Sequence, residues 1–235
     1  MATFVLVHGS THGPGSWKFV RAELERNNHT VVTPELPSGE PEAGAGRYAE
    51  VIVSAIPTGE PTIVAAHSAS GWYLPLVAAT VPLRRMVFVA AVIPRLGISF
   101  LEQLQSEPEM INAAWIGKDP RLPAVADEFL FHDVPPERLE WAHSTMRVMI
   151  ARHAMIERYP LREWPSTPGS YIVCSMTGRS SHNGRGEWLF PLAWTSWKSR
   201  EVTAHIFPDL KLWHRSLCAY RNPFGMKGSQ DRRKY

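Results

Sequence analysis

Short apolar runs alternate along the first hundred residues with segments in which apolar side chains recur every three or four positions. Runs rich in β-branched residues are typical of strands buried on both faces of a parallel sheet, whereas the helical spacing predicts amphipathic helices. The predicted strands are residues 3–9, 29–37 (with a loop), 61–67, 85–95 and 169–176, and the predicted helices are residues 16–28, 45–56 and 70–81. This alternation predicts an α/β fold with a doubly wound, mostly parallel sheet and right-handed crossovers.

The strand pattern disappears in residues 97–165, where two long stretches have helical character. The second stretch begins with Pro135 and Pro136, which fit the first turn of a helix. We predict that residues 97–165 form a helical cap inserted into a core made of residues 1–96 and 166–235. The cap has apolar side chains that are available to line a pocket over the strand ends: Leu101, Leu104, Trp115, Phe129, Phe131, Trp141 and Met149.

Composition narrows the class of protein. Of the 235 residues, 44% are hydrophobic and 20% are charged, which is typical of a soluble globular chain. No apolar run reaches the roughly 18 residues of a membrane span, and the first residues lack the basic and apolar regions of a signal peptide. We therefore expect a cytoplasmic protein without a membrane partner. The two cysteines, Cys174 and Cys218, form neither a disulfide framework nor a zinc pattern.

The charge is unevenly distributed along the chain. The formal net charge is +3, but residues 176–235 carry +7 and the remainder carries −4. The basic residues of this final part are scattered among Trp, Gly and Pro, and they form no recognisable nucleic-acid-binding module. We therefore expect no nucleic-acid partner.

The stretch AHSASG, residues 66–71, directly follows a predicted strand and precedes a predicted helix. Ser68 has a small residue two positions before it, Ala66, and another two positions after it, Ser70, although glycine is usual at both. This pattern in this context is that of a nucleophile elbow, in which a strained turn exposes the serine. We predict that Ser68 is a nucleophile. The alternative is that Ser68 only caps the following helix.

A second motif, HGSTHGPGSW, occupies residues 8–17 after the first predicted strand. The tetrahedral intermediate of acyl transfer needs two backbone N–H donors for its oxyanion, one after the nucleophile and one from this loop. We predict that Ala69 and Ser10 supply these donors, and that Gly9 lets the backbone approach the substrate closely. Both motifs fall at carboxyl ends of strands, where α/β sheets bind ligands.

Four stretches in this order, FVLVHGSTHGPGSW, AAHSASGW, FLFHDVPPERLEWA and YPLREWPSTPGSYIVC, resemble α/β-hydrolases. The resemblance is to the branch that holds plant methylesterases, hydroxynitrile lyases and bacterial esterase-like relatives, and it covers roughly residues 3–175. It implies the α/β-hydrolase fold with a serine nucleophile, and neither a metal nor an organic cofactor. We predict a carboxylic-ester hydrolase that acts on a small or medium apolar ester, in a pocket beside Gly9, His67, Trp115 and Trp141.

A serine nucleophile needs a histidine base, and the histidine needs a carboxylate that fixes its tautomer. In the family the acid follows the strand equivalent to residues 169–176, but no Asp or Glu occurs between Met176 and Gly186, so no acid is identified. None of the histidines after this strand, His182, His205 and His214, lies in a glycine-histidine loop, and His205 and His214 are the candidate bases. The sequence departs from the family from about Met176, and we hypothesise a shifted reading frame or a misjoined exon there.

Two other functions stay open at this point. One is a carbon–carbon lyase like the hydroxynitrile lyases, in which serine and histidine deprotonate a cyanohydrin hydroxyl. Those lyases tend to have threonine after the first-strand histidine, so Gly9 favours ester hydrolysis. The other is a pseudoenzyme that binds a ligand in the pocket but lacks the acid and the histidine of the family.

Overall fold

A parallel sheet forms the centre of the protein. The computed structural model describes residues 1–111 and 113–172. Within them the sheet has five strands: β1 (Thr3–Val7), β2 (Thr30–Val32), β3 (Thr62–His67), β4 (Arg85–Val89) and β5 (Gly169–Ile172). Their order in the sheet is β2-β1-β3-β4-β5, and all of their pairings are parallel, which confirms the predicted sheet. The order reverses between β1 and β3, the kind of position at which open α/β sheets bind ligands.

Helices cover both faces of the sheet. Helix α1 (Lys18–Arg26) packs on one face, and helices α2 (Ala45–Ser54) and α3 (Leu74–Thr80) pack on the other. These helices confirm the three predicted ones, but 3₁₀ turns precede two of them, Pro14–Trp17 before α1 and Ser68–Tyr73 before α3. No helix in the described part of the chain is long and apolar enough to cross a membrane.

The alternation of side chains along each strand explains the continuous apolar runs of the sequence. Phe4 and Leu6 of β1 pack with α1, whereas Val5 and Val7 pack with α2 and α3. All four side chains are completely buried. A strand with a hydrophobic core on each face needs apolar residues at every position, which is why no polar alternation is present.

Residues 97–165, called the insertion below, contain helices and loops in their described part. The helices are α4 (Phe100–Ser106), α5 (Pro123–Phe129), α6 (Leu139–Ser144) and α7 (Arg152–Ile156), with 3₁₀ turns at Pro108–Met110, Ala113–Trp115 and Pro136–Arg138. Helix α4 begins with a capping box, in which Glu102 N donates to Ser99 Oγ at 3.1 Å and Ser99 N donates to the Glu102 carboxylate at 2.7 Å. The helical character matches the sequence pattern, while the division into core and cap stays a prediction.

The structure differs from the predicted elements in two places. The chain between α6 and α7 is not helical, because Met146 forms an antiparallel bridge with His12 and the neighbouring backbone pairs with the same loop. These long-range hydrogen bonds outweigh the local helical propensity. Strand β4 ends at Val89, well before residue 95, because Ala90 adopts a left-handed φ of 41°.

Candidate active site

Ser68 lies at the junction between β3 and the 3₁₀ turn Ser68–Tyr73. Its φ is 56°, in the left-handed region that residues other than glycine rarely occupy. Strain of this kind is typical of a nucleophile held on a sharp turn between a strand and a helix. The N-cap residue of the turn is His67, and no side chain caps it, so the alternative role of Ser68 as a helix cap does not agree with the structure.

Close packing behind Ser68 explains the small residues of the motif. A Cβ atom on Gly71 would lie 2.3 Å from the Val92 carbonyl oxygen and 2.8 Å from Ala91 Cβ, so a larger residue does not fit. Ser70 is completely buried. The Ser68 carbonyl accepts a hydrogen bond from Val92 N at 3.0 Å, which ties the turn to the segment after β4.

The loop after β1, residues 8–13, is called the β1 loop below, and the 3₁₀ turn Ser68–Tyr73 is called the nucleophile turn after its predicted role. The β1 loop passes directly beside the nucleophile turn. A Cβ atom on Gly9 would lie 3.1 Å from Ser68 Cβ and 2.9 Å from His67 Nδ1. A side chain at position 9 would therefore push the β1 loop away from Ser68. The structure thus brings together Gly9, His67 and Ser68, and the adjoining Ser10 and Ala69 are both partly exposed.

Carbonyl groups of the β1 loop accept hydrogen bonds that fix the directions of its peptides. Ser70 Oγ donates to the His8 carbonyl at 2.5 Å. The Gly9 carbonyl accepts from His8 Nδ1 at 2.9 Å and from His12 N at 3.2 Å. The C=O and N–H groups of a trans peptide point in opposite directions, so the fixed Gly9 carbonyl also fixes the direction of the Ser10 N–H.

The imidazole of His8 is a structural part of the β1 loop. Its Nε2 accepts a hydrogen bond from Leu36 N at 3.1 Å, which assigns the ring hydrogen to Nδ1 and makes Nδ1 the donor to the Gly9 carbonyl. Burial lowers the pKa of His8, and this effect outweighs the opposing influence of the Gly9 carbonyl and of Glu35. With both nitrogens occupied, His8 is not available as the base.

The insertion holds the remainder of the β1 loop through its backbone. Residues 145–149 run antiparallel to the loop, with a bridge between Met146 and His12. Three backbone hydrogen bonds join the two segments: Met149 N to Ser10 O at 2.7 Å, Arg147 N to Thr11 O at 3.0 Å, and Gly13 N to Thr145 O at 2.7 Å. The orientation of the β1 loop therefore depends on a segment that is distant in the sequence.

Two further histidines border the site and are uncharged at neutral pH. Burial lowers the pKa of His12 to about 3, with a smaller contribution from His67, and burial lowers the pKa of His67 to about 4. The two rings meet edge-on with centroids 6.4 Å apart, and His12 is also edge-on to Phe131 at 5.9 Å. Such histidines are poor proton acceptors at neutral pH, and they add no charge to the site.

The two tryptophans predicted for the substrate pocket both lie in the insertion. Trp115 packs against Phe129 with ring centroids 5.2 Å apart, and Trp141 packs against Phe19 at 4.8 Å. Their place in the pocket stays a prediction. Phe131, from the same set of apolar residues, reaches the β1 loop through its contact with the ring of His12.

The remaining predicted elements of the site lie outside the described residues. They are the candidate bases His205 and His214, the region after Met176 that was expected to hold the acid, and the hypothesised change of reading frame. Within residues 1–111 and 113–172, no group of three or more His, Cys, Asp and Glu side chains is placed to hold a metal ion.

The sequence-based prediction missed two features of the site. One is the hydrogen bond of the Ser70 hydroxyl, for which serine in place of the usual glycine is a signal, because a buried hydroxyl needs a partner. The other is the pair of backbone donors, Arg147 and Met149, that hold the β1 loop. The local signal for this second feature is weak: three β-branched residues between positions 145 and 150 lower the helix propensity.

The sequence matches the model of the Alpha/beta hydrolase family over residues 4–216, and the chain belongs to this family. The family expected from the motifs is therefore confirmed. The matched range extends beyond Met176 and includes both His205 and His214.

Solved structures with the same fold include a hydrolase from Paenibacillus and several plant enzymes. An extracellular α/β-hydrolase from a Paenibacillus species, described as sharing structural and functional homology with tobacco salicylic acid binding protein 2, is 25% identical over 73% of this chain and 76% of that chain, with a TM-score of 0.54. Polyneuridine aldehyde esterase is 22% identical over 74% and 80% of the two chains, with a TM-score of 0.60. The methylesterase MES16 from Arabidopsis is 17% identical over 73% and 77%, with a TM-score of 0.54. No protein with a curated description matches the sequence significantly.

Proposed function

We propose that the protein is a serine hydrolase that cleaves carboxylic esters, with Ser68 as the nucleophile. The observation that carries this proposal is the strained backbone of Ser68, with a φ of 56°, in direct contact range of Gly9 in the β1 loop. A strained serine between a strand and a helix, beside a glycine-containing loop after the first strand, is the arrangement that α/β-hydrolases use for acyl transfer. Membership of the hydrolase family supports the same reaction class.

In the proposed reaction, Ser68 Oγ attacks the ester carbonyl carbon and its proton passes to a histidine, for which His205 and His214 are the candidates. The oxyanion that forms accepts hydrogen bonds from Ser10 N and Ala69 N. The C–O bond then breaks, and the leaving alcohol takes the proton from the histidine, which leaves an acyl group on Ser68. Water, deprotonated by the same histidine, hydrolyses this acyl enzyme and restores the serine.

The positions of the two proposed N–H donors support this role. Ala69 directly follows Ser68 at the start of the 3₁₀ turn, where the first N–H groups have no acceptor within the turn. The Ser10 N–H points away from the Gly9 carbonyl, whose two hydrogen bonds fix the peptide. One donor, Ser10 N, thus follows β1, and the other, Ala69 N, follows the neighbouring strand β3.

The surroundings of Ser68 favour an apolar, uncharged substrate. His12 and His67 are neutral because burial lowers their pKa values to about 3 and about 4, and Phe131 adds an aromatic surface beside His12. We therefore propose a small or medium apolar ester, enclosed by the insertion acting as a cap. The proposed setting is the cytoplasm, without a nucleic-acid or membrane partner.

The experiment that tests the proposal compares two chemistries on the full chain. Hydrolysis of p-nitrophenyl acetate, butyrate and octanoate is measured beside cleavage of mandelonitrile, with Ser68→Ala as the inactive variant and Ser106→Ala, an exposed serine in α4, as the matched control. Ester hydrolysis that is lost in Ser68→Ala and kept in Ser106→Ala supports the proposal.

The same comparison separates the alternatives. Cleavage of the cyanohydrin without ester hydrolysis would replace the esterase by a carbon–carbon lyase. Equal background rates for the wild-type protein and Ser68→Ala on both substrates would favour the ligand-binding pseudoenzyme, since loss of a triad member typically costs about 10⁴-fold or more in rate.

A further inference from the structure

Ser70 links the two backbone segments that meet at the proposed active site. Its side chain is completely buried, and its Oγ donates a hydrogen bond of 2.5 Å to the carbonyl of His8. The two residues are 62 positions apart in the sequence, Ser70 in the turn after β3 and His8 in the loop after β1. This bond therefore connects the nucleophile turn directly to the β1 loop.

The bond continues the connection between the two strands beyond the end of the sheet. The parallel pairing of β1 with β3 extends to Val7 and Ala66, where β1 ends, and β3 continues for one more residue, His67, which pairs with β4. A serine at position 70, where a nucleophile elbow usually has glycine, supplies a hydroxyl that glycine lacks. With glycine at position 70, the carbonyl of the buried His8 would lose this hydrogen-bond donor, and an unpaired buried carbonyl is unfavourable.

The two partners of the bond are neighbours of the two proposed oxyanion donors. Ser70 directly follows Ala69, and His8 precedes Ser10 by two residues. An oxyanion hole requires both donors to lie about 2.7–3.1 Å from one oxygen atom, so a few tenths of an ångström in their separation change the stabilisation. A hydrogen bond between the two segments is a direct means of keeping that separation constant.

We propose that Ser70 is a positioning residue, whose hydroxyl sets the separation between the Ala69 and Ser10 N–H groups. This inference rests on the proposed ester hydrolysis. Ser70 itself does not touch the substrate; it acts through the His8 peptide. Its contribution belongs to the transition state, because the oxyanion is present there and not in the bound ester.

The test removes the hydroxyl and compares kcat with KM. Ser70→Ala is expected to lower kcat for a p-nitrophenyl ester by about tenfold to hundredfold, since loss of a whole oxyanion donor costs about 10²–10³-fold and a displaced donor costs less. KM is expected to change by less than about twofold. The matched control is Ser54→Ala, which removes a hydroxyl that donates to the Glu50 carbonyl at 2.8 Å within α2, outside the β1 loop and the turn Ser68–Tyr73; its kcat is expected to stay at the wild-type value.

Two further measurements distinguish positioning from a general loss of packing. A trifluoromethyl ketone forms a tetrahedral oxyanion on the serine, and its inhibition constant is expected to rise in Ser70→Ala by the same factor as kcat falls. Urea denaturation of Ser70→Ala is expected to show a folded protein, so that the fall in kcat is not a loss of structure. Should Ser70→Ala not fold, Ser70→Gly removes the same hydroxyl and introduces the residue that a nucleophile elbow usually has at this position.

The outcomes separate this inference from the proposed function. An active wild-type protein with kcat unchanged within twofold in a folded Ser70→Ala or Ser70→Gly would overturn the role of Ser70 and leave the ester hydrolysis standing. An inhibition constant for the trifluoromethyl ketone that stays at the wild-type value while kcat falls would also overturn it. A wild-type protein no faster than Ser68→Ala overturns both, since no oxyanion hole is then in use.

Discussion

The two halves of the candidate site are held in different ways. The nucleophile turn is fixed by the covalent chain and by packing, with the strained φ of 56° at Ser68 and the tight space around Gly71. The β1 loop has no such strain among its residues, and its peptides are held by hydrogen bonds from within the loop and from other parts of the chain. One half is therefore held mainly by packing around a strained residue, and the other mainly by hydrogen bonds.

The two halves are therefore sensitive to different kinds of substitution. A nucleophile turn held by packing is damaged by added volume, whereas a loop held by hydrogen bonds is damaged by the loss of a donor. The donors to the β1 loop include the Ser70 hydroxyl of the nucleophile turn, the His8 ring of the loop itself, and backbone N–H groups of residues 147 and 149 in the insertion. The insertion thus affects the site through its backbone as well as through any contact with substrate.

The largest effect is expected at the nucleophile turn, from added volume. In Gly71→Ala the new Cβ would meet the Val92 carbonyl oxygen at 2.3 Å, so the free energy of unfolding should fall by about 3 kcal/mol or more, as measured by urea denaturation. The matched control is Gly46→Ala in α2, where a Cβ meets nothing within 4 Å. The free energy of unfolding of this variant should rise by about 0.5–1 kcal/mol. Equal stability of the two variants would contradict the packing account.

A smaller effect is expected when the β1 loop loses a backbone donor. Met149→Pro removes the N–H that donates to the Ser10 carbonyl at 2.7 Å, and kcat for an ester should fall by about tenfold to hundredfold. Met149→Leu keeps this donor and a side chain of similar volume, and it should retain most of the activity. If the two variants have the same kcat, the insertion does not orient the β1 loop.

Acid should lower the free energy of unfolding through two histidines, one in each half of the site. Burial lowers the pKa of His12 to about 3 and of His67 to about 4, while histidines of the unfolded chain have a pKa near 6.5. The unfolded state therefore binds more protons below pH 6.5, and the free energy of unfolding should fall as the pH falls, by up to about 1.4 kcal/mol per pH unit for each histidine.

Denaturation in urea at a series of pH values checks this acid dependence. The contribution of His67 should end near pH 4, whereas that of His12 continues towards pH 3. His12→Asn should give a shallower decline of the unfolding free energy between pH 6.5 and 4 than the wild-type protein. An unchanged slope in this variant would show that His12 is protonated in the folded state.

The smallest effect is expected from a strained residue outside the nucleophile turn. Ala90 has a φ of 41° and is exposed, so Ala90→Gly should raise the free energy of unfolding by about 0.5–1 kcal/mol without a change in kcat. Asn28→Gly, at a φ of 60°, should gain less because asparagine tolerates this region better. Loss of activity in Ala90→Gly would place the strain of residue 90 within the site.

Most of the fold could be predicted because its information is local. The runs around Phe4, Val64 and Val87 show strands by composition alone, and the small residues around Ser68 show the turn. The non-helical segment at residues 145–149 could not be predicted, because its hydrogen bonds are made with a loop far away in the sequence.

The same distinction applies to the candidate site. Gly9 and Ser68 carry recognisable motifs and lie together in the structure. The tautomer of His8 depends on the hydrogen bond from Leu36 N, and the Ser70 hydroxyl donates to the His8 carbonyl. No spacing rule in the sequence connects the two residues of either pair. Local patterns thus locate the nucleophile, whereas the orientation of its neighbours requires the three-dimensional structure.

The proposed ester hydrolysis depends on an activated nucleophile at Ser68. We would test this by labelling the purified full chain with a fluorophosphonate, followed by mass spectrometry of the peptide that contains Ser68, with Ser68→Ala as the control. We expect one phosphonyl group on Ser68 in the wild-type protein and none in the variant. A folded wild-type protein that remains unlabelled at Ser68 would contradict the account, because a serine without a working base and oxyanion hole does not react.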